Sequence, residues 1–144
     1  MSQIGVVYAT KTGHSQKLAE AIAKALHAKA ENVKGGIPSR AVDLLFIVGG
    51  IYAGKSAPEL LRYVEGLSAS QAKAAVLVTS SASPTRNQPE IRRILTEKAI
   101  RVLDEIGCPG SFLFLRAGHP NAADVEQVAE RAKQIAANDE MRET

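Results

Sequence analysis

The sequence predicts an α/β fold, a single doubly wound parallel sheet with helices on both of its faces. Short apolar runs, typical of buried strands, recur along the chain. They alternate with stretches whose apolar residues recur every three or four positions, typical of helices that bury one face. Because parallel strands need long crossover connections, this alternation favours a parallel sheet. The 144 residues have the length of one domain, so we expect a single domain over residues 1–144.

The first strand and the first helix are the clearest elements. The apolar run 4–8 predicts a buried strand, and Leu18, Ile22 and Leu26 form one face of a helix. Between them, residues 10–15 read Thr-Lys-Thr-Gly-His-Ser, the segment called the phosphate loop below. Free backbone N–H groups and the positive end of a helix dipole meet at such a junction, and three hydroxyls can join them around a phosphate. Capping of the helix alone would need only one hydroxyl.

The middle of the chain predicts a short second strand and a strong third one. Residues 31–34 form at best a short strand, and the Gly-Gly-Ile-Pro sequence of residues 35–38 breaks regular structure. Residues 44–48 are a second buried apolar run. Only about ten residues separate the two strands, too few for a crossover helix with its loops. We therefore expect no full helix between them.

Two further helices are predicted to begin with a Pro-Glu pair. Residues 56–59 read Ser-Ala-Pro-Glu, the pattern of a capping box, and a buried strand follows at 74–78. Residues 87–90 read Asn-Gln-Pro-Glu, and the apolar periodicity after them continues to Ile106. Gly107 is expected to end this helix.

The last part of the chain predicts one more strand and one more helix. Residues 111–115 contain the run Phe-Leu-Phe-Leu, which predicts the final strand. Asn121 is expected to cap the last helix, and residues 138–144 are expected to form a frayed polar tail.

Composition and charge argue against several classes of function. The net charge is +3, but the basic residues form no run and aromatic residues make up only 4%, which disfavours nucleic-acid binding. No apolar run approaches the ~20 residues of a membrane span. His14, His27 and His119 lack the spacing of metal ligands. With a single cysteine, Cys108, and a first strand that begins by Ile4, we expect no signal peptide, no disulfide and a reducing cytoplasm.

Residues 4–26 resemble the phosphate-binding segment of flavodoxins, small proteins that hold FMN. That family combines an apolar strand, an aromatic residue, a Ser/Thr-x-Thr-Gly-x-Thr turn and an alanine-rich helix. The matching positions are Tyr8, Thr10, Thr12, Gly13 and Ser15. The loop has neither the Gly-x-Gly-x-x-Gly nor the Gly-Lys-Ser/Thr pattern of other nucleotide loops. The resemblance implies FMN as cofactor and strand order 2-1-3-4-5, and the spacing described above adds a short second strand and a reduced or missing second helix. It assigns the phosphate to the whole loop: Thr10, Lys11, Thr12, Gly13, His14 and Ser15.

A second loop, residues 49–55, resembles the flavodoxin segment that forms one side of the flavin site. Glycine lets the backbone approach a flat ring, and Tyr52 offers a large face for stacking. Tyr52 could alternatively cover only the edge of the core. The cofactor-binding residues implied here are Gly50, Ile51, Tyr52, Ala53 and Gly54.

A third loop, residues 79–87, lacks the second aromatic residue that flavodoxins often place there. Either the flavin is stacked on one side only, or its outer face is left for a partner. The hydroxyls and amides could still bind flavin oxygens, and the alternative is an ordinary solvated turn. The candidate residues are Thr79, Ser80, Ser81, Ala82 and Ser83.

A short flavodoxin-like subfamily is similar to this chain at two more places, Cys-x-Gly at residues 108–110 and Gly-His-Pro at 118–120. Cys108 is expected at the amino end of the last strand, opposite the cofactor, as a packing residue. His119 could titrate near the cofactor, but anchoring the turn before the last helix is the favoured interpretation.

The resemblance implies FMN-dependent electron transfer between partner proteins. The three loops contain Lys11, His14, Lys55 and Arg86 and no acidic residue, which favours a partner with an acidic docking face. One alternative is a flavodoxin-like quinone or porphyrinogen oxidoreductase, although such enzymes usually need an added substrate loop. The other is a module that has kept the fold and lost the flavin. No nucleic acid, membrane or metal partner is expected.

Overall fold

The structure is a computed structural model that describes residues 3–9, 14–36, 41–52, 55–81, 88–109 and 122–143. Strands and helices alternate along these segments. In chain order they are β1 (Ile4–Tyr8), α1 (His14–Ala25), β2 (Ala30–Asn32), a 3₁₀ turn (Val33–Gly35), β3 (Val42–Tyr52), β4 (Lys55–Ser56), α2 (Pro58–Gly66), β5 (Ala72–Ser81), α3 (Pro89–Glu97), β6 (Arg101–Pro109) and α4 (Ala122–Glu143).

Five parallel strands form the central sheet in the order β2-β1-β3-β5-β6, and the short β4 pairs antiparallel with the end of β3. Counted among the parallel strands alone, this is the predicted order 2-1-3-4-5, which is therefore confirmed. The second strand has only 3 residues, and among the described residues between it and β3 a 3₁₀ turn stands where a second helix would lie. The predicted short strand and reduced helix are thus also confirmed.

Alternate side chains of each strand enter two separate hydrophobic layers. On one face, strand residues such as Phe46 and Val76 pack against α1 and α4. On the other face, residues such as Ile47 and Leu77 pack against α2, α3 and the 3₁₀ turn. Phe46, Ile47, Val76 and Leu77 are all completely buried, as expected for strands covered on both sides.

Two strands are longer than predicted. β3 continues past residue 48 to Tyr52, and β5 continues past residue 78 to Ser81. The predicted capping box at residues 56–59 is wrong, because Ser56 belongs to β4 and pairs with Ile51. Ala57 is the N-cap of α2 without a side-chain hydrogen bond, and Pro58 begins the helix.

The prediction of a single helix running to Ile106 is wrong. α3 ends at Glu97, and β6 begins at Arg101, within the stretch that the periodicity predicts to be helical. The Ala99 and Ile100 N–H groups donate to the carbonyls of Thr96 and Leu95, at 3.0 and 2.9 Å. These two hydrogen bonds form a Schellman motif, in which Ala99 has a left-handed φ of 63°.

Replacing Ala99 by glycine should stabilise the protein by about 0.5–1 kcal/mol, because glycine adopts a left-handed φ without steric cost. Inside a helix, the same substitution would destabilise by about 1 kcal/mol. The sign of the change in unfolding free energy, from urea denaturation, therefore tests where α3 ends. Ala129→Gly within α4 is the matched control and should lose stability. A loss of stability in both variants would contradict the observed boundary.

α4 is longer than expected at its carboxyl end. It continues to Glu143, so residues 138–143 are helical where a frayed tail was expected. Asp139 is buried there, with Oδ1 at 3.9 Å from Nη2 of Arg101 at the start of β6. The predicted strand at 111–115 and the predicted cap Asn121 lie outside the described residues.

Candidate functional site

The carboxyl ends of the parallel strands meet at one edge of the sheet, called the carboxyl edge here. The register places Tyr8 of β1 beside Val48 of β3, and Val48 beside Val78 of β5. Strand order reverses at β1, whose neighbours are β2 and β3. In open parallel sheets, ligands bind beyond the carboxyl ends at such a reversal point. The segments that follow β1, β3 and β5 are the three loops that the sequence singles out.

Along the chain, α1 is the next element after β1, and it begins at His14. Ser15 is 1% exposed, and its Oγ has no hydrogen-bond partner among the residues that the structure describes. A buried hydroxyl without a partner costs about 1–3 kcal/mol, so a ligand oxygen that accepts from Ser15 would be favoured. Free N–H groups of a helix N-terminus add to the attraction for an anion. These features fit a phosphate group.

The structure describes only part of the phosphate loop. For His14 it gives the backbone but not the side chain, and Ser15 is the one loop side chain that it describes. The other predicted phosphate ligands lie outside the described residues: Thr10, Lys11, Thr12 and Gly13.

The second predicted loop is largely a hairpin. Ile51 and Tyr52 pair antiparallel with Ser56 and Lys55, so β3 passes the carboxyl edge and folds back. Tyr52 therefore lies at the far end of β3, in a position beyond the paired ends of β1 and β5. Its side chain is not described, and Ala53 and Gly54 lie outside the described residues. The stacking of Tyr52 stays a prediction.

Gly49 stands where β3 crosses the carboxyl edge, and the neighbouring side chain of Leu60 leaves no space for a larger residue there. A Cβ at this position would lie 2.4 Å from Cδ2 of Leu60 on α2. Because this distance is far below van der Waals contact, any side chain at residue 49 would force Leu60 into another rotamer or displace α2 or β3. In the next position, Gly50 pairs with Ser80 of β5.

The third predicted loop begins later than expected, since Thr79, Ser80 and Ser81 belong to β5. Thr79 is completely buried, and its Oγ1 accepts a hydrogen bond of 3.0 Å from Nε2 of Gln88. The side chains of Ser80 and Ser81 are not described. Ala82 and Ser83 lie outside the described part of the chain.

Sequence reasoning missed Gln88. It is 1% exposed at the N-cap of α3, and the structure connects it to the end of β5. The only signal in the sequence is a polar residue directly before Pro89, which predicts a helix start and not a buried contact.

Cys108 corrects another expectation. It pairs with Ser80 near the carboxyl end of β6, so its backbone lies at the same edge as the candidate site and not at the opposite one. The reason is the early end of α3, which shifts the last described strand to Arg101–Pro109. His119 lies outside the described residues.

The shifted pKa values that are resolved among the described residues belong to groups remote from the phosphate loop. At the start of β3, a hydrogen bond from the backbone N–H of Gln3 and the nearby Lys73 ammonium lower the pKa of Asp43. Burial in α2 raises the pKa of Tyr63 to about 12.

Within the described segments, no three His, Cys, Asp or Glu side chains come together as a metal site would require. No helix in these segments is long and apolar enough to cross a membrane.

Comparison with known proteins agrees with this geometry. The flavodoxin domain family matches residues 5–113 of the chain. A protein of Methanocaldococcus jannaschii whose function is uncharacterised is 27% identical over 137 residues, which cover 87% of this chain and 91% of that protein.

Solved structures with the same fold include two flavodoxins. Oxidised flavodoxin 2 from Bacillus cereus superposes with a TM-score of 0.69 at 15% identity, over 95% of this chain and 99% of that one. The flavodoxin of Streptococcus pneumoniae gives a TM-score of 0.67 at 14% identity, over 94% of this chain and 98% of that one. At these identities the likeness shows the fold.

Proposed function

The chain belongs to the flavodoxin domain family, and from this membership we propose that it binds FMN at the carboxyl edge and carries electrons between partner proteins. The observation that supports this most directly is the buried Oγ of Ser15, which has no partner among the described residues at the start of α1. A phosphate at that position would give this hydroxyl an acceptor. We also place this exchange in the cytoplasm, on the sequence evidence alone.

Each part of the site has a separate role in the proposal. FMN, when bound, supplies reversible one- and two-electron transfer. The phosphate loop holds the phosphate through backbone N–H groups and hydroxyls. Tyr52 stacks against the flavin ring, and the backbone of β3 and β5 near Gly50 and Ser80 borders it.

The charge of the loops supports a partner with an acidic docking face. Lys11, His14, Lys55 and Arg86 belong to these loops, and no acidic residue does. Complementary charge steers association and sets orientation more than it raises affinity. We therefore propose that electron transfer to or from this protein is faster at low salt than at high salt.

A second candidate is a flavodoxin-like quinone or porphyrinogen oxidoreductase. The resemblance to flavodoxins allows such an enzyme as well as a carrier, although these enzymes usually need an added substrate loop.

Two assays on FMN-loaded protein distinguish the candidates. A carrier takes up reducing equivalents stoichiometrically in a dithionite titration and does not catalyse the oxidation of NADH or NADPH by benzoquinone. A quinone oxidoreductase turns over many times with one of these donors, and a porphyrinogen oxidoreductase turns over with a porphyrinogen as the donor. Protein that fails to retain FMN at all would support the flavin-free alternative and would overturn the proposed function.

Tyr52→Ala should weaken FMN binding by about 2- to 10-fold, because stacking contributes about 0.5–1.5 kcal/mol beyond burial. Flavin fluorescence, quenched in the wild type, should also be partly restored in the bound state. Fluorescence titration of apoprotein measures both quantities. Tyr63→Phe, at a buried tyrosine of α2, is the matched control and should change neither. If flavin bound to the wild type already fluoresces like free FMN, Tyr52 does not stack.

A further inference from the structure

We propose that Gln88 is a positioning residue, which fixes the ends of β3 and β5 in the geometry that FMN binding requires. The inference rests on the proposed function. It adds a residue that is not among the ligands predicted in the three loops.

The side chain of Gln88 is buried at the start of α3, although a polar side chain at an N-cap is usually exposed. The backbone carbonyl of Gln88 accepts from the N–H of Arg92 at 3.0 Å, as an N-cap does. The side chain makes no capping bond to its own helix. Instead its Nε2 donates to Oγ1 of Thr79, which is itself completely buried. The amide therefore links α3 to β5 and does not serve α3.

Gln88 also approaches β3. Its Oε1 lies 3.7 Å from the position that a Cβ would take at Gly49, and Gly49 is the register partner of Thr79. Cδ2 of Leu60 on α2 lies closer still to that position, at 2.4 Å. One amide is thus hydrogen-bonded to β5 and lies beside β3 at the point where both strands reach the carboxyl edge.

The residues that follow this contact are the ones proposed to border the flavin. Gly50 and Ser80 pair with each other one position beyond Gly49 and Thr79. A binding site needs its backbone groups held within about 0.5 Å, and supporting side chains that are themselves hydrogen-bonded provide this. Loss of the Gln88 amide would loosen β3 and β5 one residue before the proposed site. It would remove no contact with FMN.

The test combines three variants with one matched control. Gln88→Met keeps the size of the side chain and removes the hydrogen bond, and Thr79→Val removes the same bond from the other side. The double variant completes a thermodynamic cycle. Gln71→Met is the control, since Gln71 lies just before the amino end of β5 and accepts from the N–H of Ser68 at 3.0 Å.

Each variant is assayed by FMN titration and, as apoprotein, by amide hydrogen exchange. We expect FMN affinity to fall about tenfold in Gln88→Met, as the loss of one buried hydrogen bond implies. The double variant should lose no more than the weaker-binding single variant. Amide exchange at Gly50 and Ser80 should accelerate in apo Gln88→Met and not in Gln71→Met.

The outcomes separate this inference from the proposed function. Two results would overturn the positioning role. One is an FMN affinity of Gln88→Met within twofold of the wild type. The other is a loss of FMN affinity in the double variant that equals the sum of the losses in the two single variants. If Gln88→Met does not fold, Thr79→Val carries the same comparison. If wild-type protein does not bind FMN, the proposed function fails. Hydrogen exchange in the apoprotein then still decides whether Gln88 holds the two strand ends.

Discussion

Replacing both Lys11 and Lys55 by glutamate is expected to lower the midpoint potential for adding the second electron to bound FMN by about 100 mV. A unit charge ~8 Å from the ring, at an effective dielectric constant of ~40, contributes about 1 kcal/mol. The double replacement changes the local charge by about four units, or ~4 kcal/mol before salt screening. Because ~59 mV corresponds to a tenfold change in a one-electron equilibrium, a shift on the order of 100 mV remains after screening.

Potentiometric titration of the wild type and the double variant measures this shift. Lys24→Glu/Lys29→Glu is the matched control, because it changes the net charge by the same amount. Lys24 lies in the last turn of α1 and Lys29 lies just before β2, both away from the carboxyl edge. The control should shift the potential far less. Equal potentials in the wild type and Lys11→Glu/Lys55→Glu would show that these lysines do not influence the flavin.

Gly13→Asp is expected to lower FMN affinity at least tenfold, or by ~1.4 kcal/mol. The substitution adds a side chain and a negative charge to the phosphate loop, where the phosphate dianion is proposed to bind. Fluorescence titration of apoprotein measures the affinity. Gly66→Asp, at the carboxyl end of α2, adds the same charge at the opposite end of the sheet and serves as control.

A second ligand distinguishes repulsion of the phosphate from general damage to the fold. Riboflavin has the same ring without the phosphate, so Gly13→Asp should leave its affinity nearly unchanged. Wild-type FMN affinity in Gly13→Asp would contradict the assignment of the phosphate to this loop. Equal losses for FMN and riboflavin would indicate a structural defect.

The first elements of the sheet could be predicted from the sequence because local patterns determine them, whereas the order of the strands came from the resemblance to flavodoxins. The apolar run 4–8 and the helical periodicity after it give β1 and α1 without reference to other parts of the chain. The shortness of the segment between residues 34 and 44 argued against a full helix there, and in the described part of the chain a 3₁₀ turn at Val33–Gly35 lies between β2 and β3. Both conclusions use chain length and periodicity alone.

The boundary between α3 and β6 could not be predicted, because the same residues satisfy two periodicities. Val102, Leu103 and Ile106 continue the helical spacing, whereas Ile100, Val102 and Ile106 also fit a strand that alternates. Pairing with β5 selects the strand, and that is a tertiary contact. The Schellman motif gave no sequence signal, since Ala99 stands where glycine is usual.

The candidate site was predicted where one segment carries the signal and missed where distant segments meet. Ser15 belongs to a local motif, and the structure places it at the start of α1. Gln88 lies at the start of α3 and Thr79 belongs to β5. Because their hydrogen bond joins two elements, no local pattern predicts it. The hairpin at Tyr52 was likewise obscured, because Gly49 and Gly50 indicate a loop until their pairing partners are known.

Titration of wild-type apoprotein with FMN and with riboflavin tests the central claim most directly. If the start of α1 holds a phosphate, FMN should bind with one-to-one stoichiometry and quenched fluorescence. Riboflavin should bind at least about tenfold more weakly, a difference of ~1.4 kcal/mol or more. Absence of FMN binding, or equal affinities for FMN and riboflavin, would contradict the claim that this chain holds FMN by its phosphate.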